Sequence, residues 1–282
     1  MRIVFSSLST LIDPLRLSYG AVRPALLALE RRAIPLVLCS YRTLEELQDI
    51  CQQWHLHHPL VVEGGSAVYV PLDYFPASVF DQRWQIRDGW RVLVCGELRP
   101  RLKPILQHLR TQLQADLISF ADWTASELAL TLGIPLAAAE KAQHRLYSEV
   151  FSYSGDPERL RAALASAPPL GFPLRVQRLP VPFPPHYWLL NAHHGQGIPM
   201  LLQCYRQHLG HVLSFGVGWD PQDQGFLPWM DQAVILPGEH EEMLRQSLWP
   251  KAELPPPEGW NEAVLQWLEA TDPQDEREEE GI

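Results

Sequence analysis

Two serines, Ser7 and Ser9, stand at alternate positions just past the apolar run Ile3–Phe5. A serine hydroxyl attacks nothing unaided; it needs an adjacent base or a metal, and no base is evident in the sequence around them. Further hydroxyls and carboxylates sit at comparable places. Ser40 closes "IPLVLCS" (34–40), and Glu63 closes "PLVVEGG" (59–65) just before Gly64-Gly65. Glu63 has two readings, a ligand contact or a helix cap. Asp220 and Asp223 in "WDPQD" either hold a weak cation or shape a turn, since Asp and Pro favour turn geometry. The histidines of "HLHH" (55–58) and "NAHHG" (191–195) show no recognised metal-ligand spacing and read as surface loops.

The elements that must carry these residues alternate along the first part of the chain. Ile3–Phe5 is short, apolar and β-branched, a buried strand. Residues 21–33 place Val22, Leu26, Leu29 and Ala33 on one helical face. "IPLVLCS" returns to strand, and Thr43 with Glu46 three residues on predicts an N-capped helix reaching about Trp54. "PLVVEGG" is a third strand. Strand, helix, strand, helix, strand predicts right-handed parallel crossovers and an α/β doubly wound sheet, whose ligands gather at the carboxyl ends of the strands. Ser7, Ser40 and Glu63 all fall at such ends.

The middle of the chain reads as a separate α+β cap spanning 83–185, inserted into a core formed by 1–82 and 186–268. It opens with the strand "WRVLVCGEL" (90–98) and a helix over 98–113. A helix, a Gly-Ile-Pro break and a second helix follow over 124–143. A strand over 144–153 comes next, then a helix opening at Asp156-Pro157. "HYWLL" (186–190) is either the cap's last strand or the crossing back. "HVLSFGVG" (211–218) and "QAVILPG" (232–238) read as core strands, and 269–282 as an acidic disordered tail.

Composition bounds the function. The 282 residues are 46% hydrophobic and carry a formal charge of −10, which leaves no excess of Lys and Arg to neutralise a nucleic-acid backbone. Cys39, Cys51, Cys95 and Cys204 lie far apart in apolar surroundings, as in a reduced compartment. With no signal peptide or membrane-length apolar segment, the expectation is a soluble cytoplasmic protein.

Five segments together resemble the mannosyl-3-phosphoglycerate phosphatases of the haloacid dehalogenase (HAD) superfamily. They are "RPALLALERRAIPLVLCSYRTLEEL", "VVEGGSAVYVP", "LTLGIPLAAAEKAQHRLYSEVF", "GVGWDPQD" and "PPEGWNEAVL". Their order and spacing imply a HAD-like doubly wound core with an inserted α+β cap. The resemblance also implies a chemistry: an aspartate attacks the phosphate and a second aspartate two residues on serves as acid and base. A Ser or Thr and a Lys hold the phosphoryl oxygens, and carboxylates of the first and fourth motifs hold Mg²⁺.

Carried over residue by residue, most of that machinery changes type. The nucleophile falls at Ser7 and the acid/base at Ser9, with Thr10 where a glycine should follow. The phosphate-holding hydroxyl is kept as Ser40, and the lysine becomes Gln196. In the fourth motif the first aspartate becomes Trp219, leaving Asp220 displaced by one residue and Asp223 in place. The resemblance implies substrate or closure contacts at Arg145, Ser148 and Glu149, for which an Arg–Glu pair locking a cap strand is the alternative. The sugar-contacting segment reads "PFPPHYW" (182–188), keeping Tyr187 and losing an arginine that would grip an anion.

These exchanges weigh against turnover. Mg²⁺ takes several hard oxygen ligands, Gln196 cannot neutralise a transferring phosphoryl group, and losing a nucleophile costs about 10⁶ in rate. The sequence therefore predicts a catalytically inactive binding or regulatory module that needs no cofactor, with a protein partner or a small phosphorylated sugar as ligand. The alternative is a Mg²⁺-dependent phosphatase acting on a sugar phosphate such as mannosyl-3-phosphoglycerate.

Overall fold

The computed structural model describes residues 1–12, 19–114, 117–169, 171–180, 186–193, 195–238 and 249–272. In chain order the strands begin with β1 (Arg2–Ser7), β2 (Leu36–Cys39), β3 (Leu60–Val62), β4 (Ala67–Pro71), β5 (Trp84–Arg87) and β6 (Trp90–Val94). They continue with β7 (Ser148–Ser152), β8 (Arg175–Arg178), β9 (Tyr187–Asn191), β10 (Leu213–Gly218) and β11 (Gln232–Ile235). The helices are α1 (Arg23–Arg31), α2 (Leu44–Gln53), α3 (Lys103–Leu113), α4 (Ala125–Leu132), α5 (Leu136–Gln143), α6 (Pro157–Ala165), α7 (Gly197–Leu209) and α8 (Glu258–Ala270). Two compact units divide the chain: Met1–Leu36 with Leu213–Ile282, and Val37–Val212.

In the first unit β1 and β10 run parallel, from Arg2 opposite Leu213 to Ser6 opposite Val217, and β11 extends the ladder parallel to β10. Ile3, Val4 and Phe5 are fully buried, as expected of a parallel strand covered on both faces. Buried Trp260, Ala263, Val264, Trp267 and Leu268 recur at helical spacing and give α8 its inward stripe. Two of them are pinned: Trp260 donates to Ser6 Oγ at 2.8 Å, and Trp267 stacks on Phe215 with centroids 4.8 Å apart. β1 is thus held from the strand side and the helix side, and Ser7 comes off its end in a defined place.

In the second unit β2 and β3 are parallel, while β3, β4, β6 and β5 alternate in direction. The parallel expectation holds for the βα repeats and gives way to an antiparallel meander after Val62. The capping box predicted for α2 is present: Thr43 Oγ1 accepts from Glu46 N, and Glu46 accepts from Thr43 N.

A smaller antiparallel sheet has β9 between β7 and β8. Along β9, Tyr187 and Leu189 face a cluster with Leu128 and Ala139 of α4 and α5. Trp188 and Leu190 face one with Ile105, Leu109 and Leu160 of α3 and α6. Both faces of this strand are covered, which is why it is apolar throughout.

The strands near the two expected cap edges pair as follows. Trp84–Arg87 and Trp90–Val94, placed within the cap from sequence, pair with β4 and its meander, and Tyr187–Asn191, which lies in the 186–268 given to the core but was left open between the cap's last strand and the crossing back, is the middle strand of the smaller sheet. The helix expected over 98–113 starts at Lys103 behind a 3₁₀ turn, Arg99–Arg101, because Pro100 and Pro104 fit only first-turn positions. The strand expected from 144 starts at Ser148. The presumed tail start at 269 lies inside α8, and 273–282 lie outside the described residues, as do 181–185 of "LPVPFPP" and His194 of "NAHHG".

Candidate functional site

The predicted site residues gather in two clusters, one in each unit. In the first, Ser9 Oγ donates to Ser7 Oγ at 3.1 Å, and Ser7 Oγ donates to Asp223 Oδ2 at 3.1 Å. That oxygen also accepts the backbone N–H groups of Trp219 (2.7 Å) and Asp220 (2.9 Å). The acceptor beside Ser7 that the neighbouring sequence does not display is therefore Asp223, delivered by the loop after β10. Asp220 Oδ1 accepts from Gln222 N at 2.9 Å and caps the 3₁₀ turn Pro221–Gly225. The turn reading of these two aspartates is correct as local structure.

Both carboxyl groups are buried. Burial holds Asp220 above the usual carboxylate range, and burial together with the charge of Asp220 does the same for Asp223. Asp220 Oδ2 is buried with no hydrogen-bond partner among the described residues, an expensive state for an ionised oxygen. A proton on that oxygen removes the cost, and so does a cation.

As a Mg²⁺ site this donor set fits poorly. One aspartate oxygen is committed to three donors, and the serines offer neutral hydroxyls where the ion takes hard, mostly anionic oxygens. Among the described residues no group of three or more His, Cys, Asp or Glu side chains could hold a metal ion.

The second cluster centres on Glu63. Its backbone lies in the left-handed region at φ 49°, followed by Gly64 at 69° and Gly65 at 91°, so the turn after β3 winds through three left-handed positions. A non-glycine residue there is strained and persists only where its surroundings hold it. Here they do: Glu63 accepts from Leu146 N (2.8 Å), Tyr147 N (3.0 Å) and Ser148 Oγ (2.5 Å). Asn191 Nδ2 donates to the Glu63 carbonyl at 3.1 Å. At Gly64 a Cβ would come within 2.7 Å of Leu189 Cδ2 and 2.9 Å of Asn191 Nδ2, so those side chains would have to shift, and the left-handed φ of 69° favours glycine there.

Arg145 completes this cluster. It is buried, with Nε 4.0 Å from Glu63 Oε2 and donating to Ser148 Oγ at 2.8 Å, while Nη2 donates to the Tyr41 carbonyl. Burial pulls the guanidinium's pKa down, and the charge of Glu63 opposes that. Glu149 is taken by Arg99, which donates Nε to Oε1 at 2.6 Å and Nη2 to Oε2 at 3.1 Å. The Arg–Glu pair offered as the alternative for Arg145 and Glu149 is not formed between those two: Arg145 serves Glu63, and Arg99 serves Glu149. Arg99 and Asn191 were missed from sequence, and only their spatial pairing marks them.

The remaining expected residues are scattered. Ser40 directly follows β2, and its carbonyl accepts from Gly64 N at 2.9 Å, so it borders the Glu63 turn; its Oγ accepts from Arg42 N at 3.2 Å. Gln196 is exposed at the start of α7. Tyr187 pairs with Ser152 at the far end of β7 from Ser148, so it is separate from the Glu63 cluster.

Known proteins match this arrangement from end to end. A glucosyl-3-phosphoglycerate/mannosyl-3-phosphoglycerate phosphatase of Methanococcoides burtonii is 26% identical over 269 residues, covering 93% of this chain and 96% of its own. One of the same name from Persephonella marina is 23% identical over 273 residues, covering 94% and 97%. A solved HAD subclass IIB sugar phosphatase superposes with a TM-score of 0.62 at 12% identity, over 95% of this chain and 99% of its own. The chain has the HAD-like fold. A HAD phosphatase from Bacteroides thetaiotaomicron (TM-score 0.63, 12% identity, 95% of each chain) and a protein of Streptococcus mutans (0.66, 12%, 95% and 98%) share it. This HAD-like chain is similar in sequence to the mannosyl-3-phosphoglycerate phosphatases, although no protein-family model matches it. Among the described residues no helix is long and apolar enough to cross a membrane.

Proposed function

We propose that this HAD-like protein binds a phosphorylated glycosyl compound and does not turn it over through an aspartyl-phosphate. The reading takes the fold as a discontinuous core with an inserted cap built from β7–β9 and α3–α6. It rests on one observation. At the nucleophile position stands a hydroxyl, Ser7, whose proton is already directed at Asp223, and the acid/base position holds a second hydroxyl directed at Ser7. A chain of neutral donors ending on a buried carboxyl group supplies neither the anionic nucleophile nor the metal ligands of the aspartate mechanism. Retained Ser40 is the residue assigned to the phosphate oxygens. In this role the protein serves as a binding or regulatory module.

A second reading, Mg²⁺-dependent hydrolysis of a sugar phosphate such as mannosyl-3-phosphoglycerate, draws on the similarity to proteins named as phosphatases over more than nine-tenths of the chain. The carboxylate beside Ser7 also offers that hydroxyl a proton acceptor. One experiment separates the two. Calorimetric binding of mannosyl-3-phosphoglycerate is measured beside phosphate release with Mg²⁺, for the parent and for Ser7→Ala. Binding without release supports the first reading. Release by the parent that Ser7→Ala abolishes supports the second, and absence of both binding and release overturns both.

A further inference from the structure

The histidines of "HLHH" differ from one another in the structure. His55 and His57 are exposed, as expected of a loop, whereas His58 is half-buried. Its Nδ1 lies 3.0 Å from the Tyr74 hydroxyl, and that hydroxyl lies 2.9 Å from the hydroxyl of Tyr205. The three residues come from three parts of the second unit: the entry to β3, the segment after β4, and α7. Their rings stand edge-on along the chain. His58 meets Tyr74 with centroids 5.9 Å apart, Tyr74 meets Tyr205 at 5.9 Å, and Phe75 backs Tyr205 at 4.8 Å.

Proton placement gives this chain a direction. Tyr205 is fully buried, and among the described residues its hydroxyl has Tyr74 as its single hydrogen-bond partner. A buried O–H without an acceptor costs about 1–3 kcal/mol, so Tyr205 donates to Tyr74. The Tyr74 proton is then directed at His58, whose Nδ1 accepts it. His58 is thereby fixed as the neutral imidazole with its proton on Nε2. Both phenols keep their protons at neutral pH, since burial pushes Tyr74 up to about 12 and Tyr205 well above the ordinary range.

A second proton on His58 has to sit on Nδ1, and it reverses every bond in the chain. His58 then donates to Tyr74, Tyr74 donates to Tyr205, and the Tyr205 proton is left buried with no acceptor. Burial of His58, together with the charge of His57, opposes the same proton and pulls the imidazole down to about 4. The other titratable groups around the chain are Cys204, which acts on Tyr205, and His208, whose ring lies against Phe75. Among the described residues no carboxylate bonds to His58 or pairs with it, so no acid there steadies the imidazolium.

We propose that His58, Tyr74 and Tyr205 form an acid-released clasp, in which a proton at His58 Nδ1 frees the entry to β3 from α7 while the rest of the fold stays formed. The strand released at its back end is the one that leads to the Glu63 turn. With the clasp open, His58 takes its proton near the ordinary value of about 6.5; with it closed, only near 4. The clasp is therefore shut above a pH of about 6.5 and loses its advantage as pH falls toward 4. Because it opens within the folded chain, its effect on whole-chain melts is capped at the cost of opening.

Nitrogen NMR of the histidine rings and hydrogen-exchange protection over 54–60 and 72–76 are measured at pH 7 and pH 5. The full chain is compared with Tyr74→Phe and with His58→Gln, whose side-chain oxygen accepts a hydrogen bond and takes no proton. At pH 7 His58 is expected to carry its proton on Nε2, and to titrate below about 5. Protection in both segments should fall about ten-fold or more between pH 7 and pH 5 in the parent, and stay level in His58→Gln. Tyr74→Phe should raise the His58 titration by about one pH unit or more, because burial alone then opposes the proton. A His58 that titrates near 6.5, or that carries its neutral proton on Nδ1, overturns the clasp. An equal loss of protection in His58→Gln overturns it by assigning the acid response to other groups. A titration unmoved in Tyr74→Phe overturns it by showing that the hydroxyl chain does not hold His58 neutral.

Discussion

The Asp223 and Glu63 clusters solve the same problem, a buried carboxylate at a strand end, in opposite ways. Around Asp223 the partners are one hydroxyl and two backbone N–H groups, with a second buried carboxyl nearby, one of whose oxygens has no partner among the described residues. Around Glu63 the partners include a buried guanidinium. Burial raises the pKa values of the first pair toward the protonated form; the second cluster sets a guanidinium beside its carboxylate. A balanced buried pair is costly to break from one side, whereas a carboxyl pair above its usual range gains when charge is removed.

Four experiments break or sharpen that contrast. The largest effect is expected from Arg145→Ala, which strands Glu63 and frees Ser148; urea denaturation should register a loss of about 3–5 kcal/mol. Gly64→Ala comes next, because the new methyl meets Leu189 in a left-handed turn, at about 1–3 kcal/mol by the same measurement. Ser7→Ala should cost only about 1 kcal/mol, since Asp223 keeps two backbone donors. If Ser7→Ala matched Arg145→Ala, the contrast would be wrong.

The smallest effect is a slope. Asp220 and Asp223 are raised in the folded state, so the native protein holds protons that the unfolded chain releases above a pH of about 4. Stability from this pair is present at low pH and declines as pH rises through the folded-state pKa values. Asp223→Asn should flatten that decline in a series of melts across pH. A parent whose stability rises over the same window would show that the pair is not raised.

Much of this arrangement is local and was legible. The Thr43–Glu46 box, the Asp156-Pro157 helix start, the Gly133 break and the turn at Asp220 are all settled by residues within five positions of one another. The strand ends carrying Ser7, Ser40 and Glu63 followed from apolar runs meeting turn residues. What escaped were pairings between distant segments. Glu63 takes its donors from residues 83 to 85 positions away, Glu149 its partner from 50, and Ser7 its acceptor from 216. The sheet membership of β6 and β9 was illegible for a related reason: both are apolar runs of similar look, and only hydrogen-bond register assigns each to its sheet.

By itself the sequence determined the strands β1–β3, β6, β7, β10 and β11 and the helices α1–α6 to within a few residues, and the segments whose resemblance implied a HAD-like fold. Local propensity, capping and apolar period act over a few residues, so they can be read along the chain. The tertiary structure alone decided that Ser7 faces a carboxyl group, that Arg145 and Arg99 divide Glu63 and Glu149 between them, and that Tyr187 packs into the cluster with Leu128 and Ala139. Such charge partnerships depend on distances across folded space, and sequence spacing does not encode those distances.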